Sequence, residues 1–138
     1  MEAAHVYVCG NYFEPTDHFA YGVVIYFKDQ KYSIKGSINN GPFITMRSVG
    51  GGIVGCMEAI KTCIFYGYKK VIIYHKIMCL ETLVTGKEKP KKCQLNKYIN
   101  FMKNAQEKID ISFKHVKSKD EEIKYGEAKQ LSKDILGI

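Results

Sequence analysis

Lysine side chains form the densest group of chemically distinctive residues in this chain. Four of them fall in one short segment interrupted by Pro90: Lys87, Lys89, Lys91 and Lys92. Ammonium groups at this density favour contact with the phosphates of a nucleic acid. Most charge runs are solvated turns, and that alternative stays open for this loop.

The charge of the whole chain points in the same direction. Its 138 residues carry 21 Lys and Arg against 14 Asp and Glu, a net charge of +7, and +5 of this lies in residues 87–138. Arg47 is the single arginine, so phosphate contact is favoured over bidentate recognition of bases. Lysine enrichment can equally reflect the base composition of a genome, so charge alone assigns no function.

Cysteine and histidine show no pattern of a metal site or disulfide framework. The five cysteines are Cys9, Cys56, Cys63, Cys79 and Cys93, with no C-x-x-C pair and no histidine at ligand spacing. We expect free thiols, no zinc, no cofactor and a reducing compartment. No secretory signal and no apolar run of about 20 residues occurs, so we expect a cytoplasmic protein without a membrane span.

A glycine-rich segment, residues 50–55 (GGGIVG), formally matches the dinucleotide motif G-x-G-x-x-G. It follows three predicted strands rather than opening a βαβ unit, which argues against a nucleotide cofactor. Glycines weaken a helix, so the first turn is expected to begin irregularly. Its backbone amides, with Arg47 and Ser48, are candidates for phosphate contact.

Hydrophobic periodicity predicts the elements that must position these groups. Three antiparallel strands come first, and later elements alternate between helix and strand. The predicted strands are 5–10, 20–28, 31–38, 70–74 and 111–116, and the predicted helices are 49–66, 77–84, 94–109 and 121–136, the last with Ile123, Ala128, Leu131 and Ile135 facing inward. This order, βββαβααβα, predicts a single α/β domain over residues 1–138, with a five-stranded mixed sheet flanked by helices.

This order of elements, and several segments of sequence, resemble the ribonuclease H family. Residues 46–59 (MRSVGGGIVGCMEA) are similar to the family's first-helix motif M-R-N-V-A-G-E-I-x-G-A-M-x-A, best known from bacterial domains that follow a viroplasmin-like domain. Residues 127–133 (EAKQLSK) resemble the closing-helix motif E-A-D-R-L-A-K. Further similar segments lie at 7–11, 21–24, 67–74, 85–89 and 111–117. The resemblance covers nearly the whole chain and implies a ribonuclease H-like fold.

The family's reaction is hydrolysis of the RNA strand of an RNA–DNA hybrid by two Mg²⁺ ions held by four carboxylates. The resemblance places Cys9, Gly52, Lys76 and Lys129 at those four positions, or His75 for Lys76 if the register shifts by one. A histidine that the family carries before its last helix is replaced by Ser118-Lys119. Mg²⁺ needs oxygen ligands, so this pattern predicts a degenerate centre and no metal.

Three functions follow. The first is a catalytically inactive domain that binds RNA–DNA hybrid or duplex RNA, with the candidate phosphate contacts Arg47, Ser48, Lys76, Lys87, Lys89, Lys91, Lys92, Lys119 and Lys129. The second is a protein-interaction scaffold or homodimer on a decayed fold. The third is an active hydrolase whose metal has moved to Glu14, Asp17, Glu58 or Glu127. An outward orientation of Lys76 and Lys129, and a Cys9 acidified by neighbouring bases, also stay open.

Overall fold

The computed structural model describes residues 2–39 and 41–138 and shows five strands and four helices. The strands are β1 (Ala4–Phe13), β2 (His18–Phe27), β3 (Gln30–Ile38), β4 (Lys70–His75) and β5 (Asp110–His115), and the helices are α1 (Arg47–Phe65), α2 (Cys79–Thr85), α3 (Leu95–Ala105) and α4 (Lys119–Leu136). Short 3₁₀ turns precede β2 and α1. The predicted element order is confirmed.

The sheet has the order β3-β2-β1-β4-β5. The first three strands pair antiparallel, and β4 and β5 are added in parallel. Because parallel pairing needs a crossover, α1 connects β3 to β4 and the α2–α3 pair connects β4 to β5. The five-stranded mixed sheet is therefore as the sequence predicts.

The two faces of the sheet are covered by different helices. Since side chains alternate along a strand, Val6 and Val8 of β1 face the core beneath α1, α2 and α3. Tyr7 and Cys9 face α4. Tyr98, fully buried in α3, joins the three helices, because its hydroxyl donates to the Leu80 carbonyl at 2.6 Å and lies 3.6 Å from the Cys56 sulfur.

The segment Ile44–Phe65 has a mean hydropathy of 1.3 and is long enough to cross a membrane, and half of it is buried inside the protein. Its buried residues, among them Ile53, Cys56 and Ile60, pack on the sheet. Core packing accounts for its length and apolarity.

Three local predictions were wrong. Strand β1 continues through Tyr12 and Phe13, since the whole run pairs with β2. Helix α3 ends at Ala105. On α4, Ala128 is buried as expected, whereas Ile123 is 61% exposed and Ile135 is 36% exposed. Leu131 packs against the core as predicted, and the rest of the inward face is formed by Tyr125 and the buried polar Ser132.

Candidate functional site

The middle of β1 and the carboxyl end of β4, together with the first half of α1 and the middle of α4, surround one place in the fold. Cys9 lies in the middle of β1, two residues beyond Tyr7, where the pairing of β1 with β4 ends, and Lys76 directly follows β4. Gly52 lies in α1 and Lys129 in α4. The four positions that the resemblance assigns to metal ligands thus meet at one end of the central strands, which we call the strand-end centre.

Glycines bring α1 unusually close to the sheet at this centre. A Cβ added to Gly10 would lie 2.0 Å from the Ser48 carbonyl oxygen and 2.4 Å from the Gly52 nitrogen. A Cβ at Gly51 would lie 2.2 Å from the Ala20 carbonyl oxygen. These contacts are with backbone, which cannot move aside locally. Residues 50–55 therefore serve close helix–sheet packing inside α1, and the dinucleotide interpretation has no support from their placement.

The space beside Gly52 is occupied by an aliphatic side chain. A Cβ on Gly52 would lie 2.8 Å from Cδ1 of Ile77, with Leu80 next. Any larger side chain at position 52 must displace Ile77. The Ile77 side chain thus lies next to position 52, where the family resemblance implies a carboxylate.

Lys76 points toward α4 rather than freely into solvent. Its ammonium pairs with Glu122 at 2.5 Å and lies 4.9 Å from the centroid of the Tyr125 ring. The two paired side chains are 40% and 48% exposed. Its charge is thus partly balanced by a carboxylate one turn before Tyr125 on the same helix.

Cys9 lies under this pair and is 3% exposed. Its sulfur lies 3.6 Å from its neighbouring Gly10 carbonyl oxygen. Burial, and then the adjacent Cys9 thiol, raise the pKa of Tyr125 well above its usual value. The environment is that of a small buried side chain packed beneath an aromatic ring, which favours the inert interpretation of Cys9.

Lys129 lies one turn after Tyr125 and is exposed. The backbone beneath it is fixed, because the Ser132 hydroxyl donates to the Lys129 carbonyl at 2.7 Å and accepts from the Asn11 amide at 3.4 Å. Its ammonium has no ion-pair partner among residues 2–39 and 41–138. Lys129 is the less constrained of the two lysines at the strand-end centre.

The donor set at this centre does not fit Mg²⁺. The four positions supply a thiol, a glycine backbone and two ammonium groups, none of which is a hard anionic ligand, and the neighbouring Glu122 carboxylate is paired with Lys76. In the part of the chain that the structure describes, no three His, Cys, Asp or Glu side chains are grouped to hold a metal. The alternative acids lie apart: Glu127 bonds to Lys31 and to the Tyr26 hydroxyl, and Glu58 pairs with Lys61. Glu14 and Asp17 lie at the turn before β2.

A second region is the basic loop, residues 86–93, between α2 and α3. Gly86 ends α2 in the left-handed conformation. The loop is fastened where Glu88 accepts from the Thr82 hydroxyl at 2.8 Å and donates its N–H to the Thr82 carbonyl at 3.1 Å. All four lysines of the loop are exposed and, among the described residues, have no carboxylate partner.

The basic loop adjoins the start of α1. Lys91 and Lys92 line one shallow groove with Met46 and Val49. Arg47 and Ser48 lie between those two residues and are exposed. The Arg47 guanidinium is held 5.3 Å above the ring of Tyr12. The structure therefore brings Lys91 and Lys92 next to the start of α1, whereas the Arg47 side chain lies in a separate pocket with Tyr12 and Asp17.

Lys119, another candidate contact, is separate from this group. It opens α4, where the acidic residues Asp120, Glu121 and Glu122 follow it in the first turn. Each of these carboxylates has a lysine partner: Asp120 pairs with Lys124, Glu121 with Lys114 and Glu122 with Lys76. Lys119 is exposed and stays a predicted phosphate contact.

Sequence analysis missed the residues that fill the strand-end centre. Ile77, Glu122 and Tyr125 belong to no motif, and only the packing of α4 and α2 reveals them. His75, which the sequence offered as the alternative to Lys76, is fully buried, with Nε2 3.0 Å from Glu81 and Nδ1 without a partner in the described structure. Burial lowers the pKa of His75 and the Glu81 carboxylate opposes that shift.

Comparison with solved structures identifies the fold. Ribonuclease H1 from the archaeon Halobacterium salinarum superposes with a TM-score of 0.79 at 16% identity, over 98% of both chains. The N-terminal ribonuclease H domain of a Mycobacterium tuberculosis protein gives 0.81 at 13% identity, over 99% of this chain and 95% of that one. LC11-RNase H1 in complex with an RNA/DNA hybrid gives 0.74 at 13% identity, over 96% and 99%.

No family model and no curated protein matches the sequence. The similarity therefore lies in the fold, and the fold is that of ribonuclease H. This chain has an aliphatic and lysine-containing strand-end centre and an exposed basic loop.

Proposed function

We propose that this chain is a catalytically inactive ribonuclease H-like domain that binds RNA–DNA hybrid or duplex RNA through lysine–phosphate contacts. The observation that carries the proposal is the state of the basic loop. Its four exposed lysines have no ion-pair partner among the described residues, and Lys91 and Lys92 share a groove with Met46 and Val49, the residues that flank Arg47 and Ser48 in the sequence. A cluster of unpaired cations on one side matches the regular phosphates of a duplex.

The fold supports the choice of ligand by analogy. LC11-RNase H1, which has the same fold, was solved in complex with an RNA/DNA hybrid. Lysine contacts follow the shape and charge of a duplex rather than its sequence. We therefore expect hybrid and duplex RNA to bind with similar affinity and with little sequence preference.

Absence of catalysis is proposed from the chemistry of the strand-end centre. Two-metal hydrolysis requires oxygen ligands on both sides of the scissile phosphate. Here Ile77 occupies the space beside Gly52, and the Lys76 ammonium forms an ion pair with Glu122. Lys129 is available for one further phosphate contact, whereas Lys76 is partly neutralised and contributes less.

The test is binding over a salt series, with labelled RNA–DNA hybrid, duplex RNA, duplex DNA and single strands. Five phosphate contacts give a slope of log affinity against log salt of about −4.5, so hybrid affinity should fall roughly 500-fold between about 50 and 200 mM salt. Failure to bind the hybrid or duplex RNA at low salt would contradict the proposal and leave the protein-interaction scaffold as the better explanation.

A further inference from the structure

A second surface lies far from the basic loop, where α1 ends beside α3. Phe65, the last residue of α1, follows Arg47 by eighteen residues, about 27 Å along the helix axis. Between the two helices is an open groove of about 440 Å³, with Ile64, Phe65, Phe101 and Ala105 as its apolar walls. The groove is therefore separate from the proposed duplex-binding side.

The groove exposes more aromatic surface than a solvated helix end requires. Phe65 is 84% exposed and Tyr66 is 48% exposed. Their rings lie 5.5 Å apart edge to face, and Tyr66 stacks on Tyr32 at 5.1 Å. An exposed Phe on a rigid aromatic support resembles the anchor side of an interface more than scattered surface apolarity.

Charge around the groove indicates the kind of partner. Lys61 and Lys108 stand at its rim with Asn104 between them on α3. The Lys61 ammonium lies 5.9 Å from the Phe101 ring and 3.5 Å from Glu58, leaving Lys108 exposed and unpaired among the described residues. Cations beside apolar walls complement a ligand that has both carboxylates and apolar side chains.

Two other occupants fit less well. A second copy of this chain would bring the rim lysines of both copies together, and like charges at an interface disfavour association. A nucleic acid needs open ring faces for base stacking. Here Lys61 lies over Phe101, and aliphatic Ile64 and Ala105 provide much of the wall.

We propose that this groove docks an acidic amphipathic helix of a partner protein. Its apolar side chains would lie along the groove between α1 and α3, against Phe65 and Phe101. Its carboxylates would face Lys61 and Lys108. In this mode of recognition the partner helix places apolar side chains, spaced one helical turn apart along its sequence, in the groove.

The test uses a synthetic helical peptide of about 18 residues, with Leu and Phe on one face and Glu on the other. Binding to the full chain is measured by fluorescence anisotropy, and we expect a dissociation constant on the order of 10–100 μM. The Phe65→Ala variant should bind at least tenfold more weakly, because the anchor is removed. Ile123→Ala is the matched control, since Ile123 is also exposed, at 61%, but lies on α4.

Two control peptides and three further measurements make the result decisive. A peptide of the same composition in scrambled order, and one with Lys in place of Glu, should both bind at least tenfold more weakly. Equal binding of either peptide, no saturable binding, or equal losses in Phe65→Ala and Ile123→Ala would overturn the proposal. So would a dimer in sedimentation that Phe65→Ala dissolves, or displacement of the peptide by single-stranded RNA. Hybrid binding by Phe65→Ala should be unchanged, which separates this test from that of duplex binding.

Discussion

Lys76 at the strand-end centre and the lysines of the basic loop are in opposite states. Lys76 is paired with Glu122 and lies over the ring of Tyr125. The lysines of the basic loop, like Lys129, are exposed and have no carboxylate partner in the described chain. The same residue type is therefore held by its neighbours at position 76 and remains available for a ligand in the loop.

The strand-end centre and the basic loop also differ in how tightly their backbones are packed. At the strand-end centre, glycines allow α1 to touch β1 and β2 with no space for a Cβ. The basic loop is held by hydrogen bonds between Thr82 and Glu88 near its start and by the Lys92 and Cys93 carbonyls, which accept from α3, at its end. Changes at the centre should therefore affect stability first, and changes in the loop should affect binding first.

The largest expected effect is on stability at the centre. Gly51→Ala places a Cβ 2.2 Å from the Ala20 carbonyl oxygen, so the helix must shift from the sheet. We expect the free energy of unfolding to fall by about 3 kcal/mol, measured by urea denaturation. Gly126→Ala is the control, because no atom lies within 4 Å of its added Cβ. The free energy of unfolding of Gly126→Ala should rise by about 1 kcal/mol. If it fell as much as that of Gly51→Ala, close packing of α1 on the sheet would not be the cause of the loss.

The second effect is on binding by the basic loop. Replacing all four lysines with Gln removes four proposed phosphate contacts, and hybrid affinity at about 50 mM salt should fall about 100-fold, with a shallower salt slope. The unfolding transition should not move. A control with the same charge change at distant exposed lysines should lose less than a tenth as much affinity; its positions are Lys28, Lys35, Lys69 and Lys103. Equal losses would mean that only net charge matters.

A smaller effect tests the pairing at the strand-end centre. Glu122→Gln releases the Lys76 ammonium and removes one negative charge beside it, so hybrid affinity should rise about threefold at low salt. Glu107→Gln makes the same charge change at an exposed turn after α3 and should have less effect. If both variants bind alike, the Lys76–Glu122 pair does not limit binding.

The smallest effect concerns the anchoring of α4 over the centre. Glu121 pairs with Lys114 and accepts from the N–H groups of Lys117 and Ser118, which lowers the pKa of its carboxyl to about 2. Because the folded pKa lies below the usual 4.5, this stabilisation is present above pH 4.5 and is lost as pH falls toward 2. Glu121→Gln should show a smaller drop in melting temperature across that window. An unchanged drop would assign the acid sensitivity to other groups.

Much of the architecture could be predicted because hydrophobic periodicity and turn residues are local properties. The order of elements along the chain, the mixed sheet and the position of α1 followed from them. The inward face of α4 could not be predicted in the same way. Ala128 and Ser132 are small enough to lie against Gly22 and Asn11, whereas the apolar Ile123 is exposed. How closely α4 packs on the sheet depends on the size of the residues on both elements. The local sequence of α4 shows only one of these two surfaces.

The candidate site was only partly accessible from sequence. Family resemblance drew attention to Cys9, Gly52, Lys76 and Lys129, and the structure brings their positions together. The neighbours that decide their chemistry, Ile77 and Glu122, come from elements distant in sequence from most of them. Pairing and exposure distinguish Lys76 from Lys129, and neither property is encoded in local spacing.

The most direct test of the account asks whether the protein holds a duplex without cutting it. Labelled RNA–DNA hybrid is mixed with excess protein at low salt, with Mg²⁺ and separately with Mn²⁺, and binding and cleavage are followed in the same samples. We expect a complete shift of the hybrid with no RNA cleavage above the protein-free control. Metal-dependent cleavage that co-purifies with the protein and persists in independently prepared samples would contradict the account.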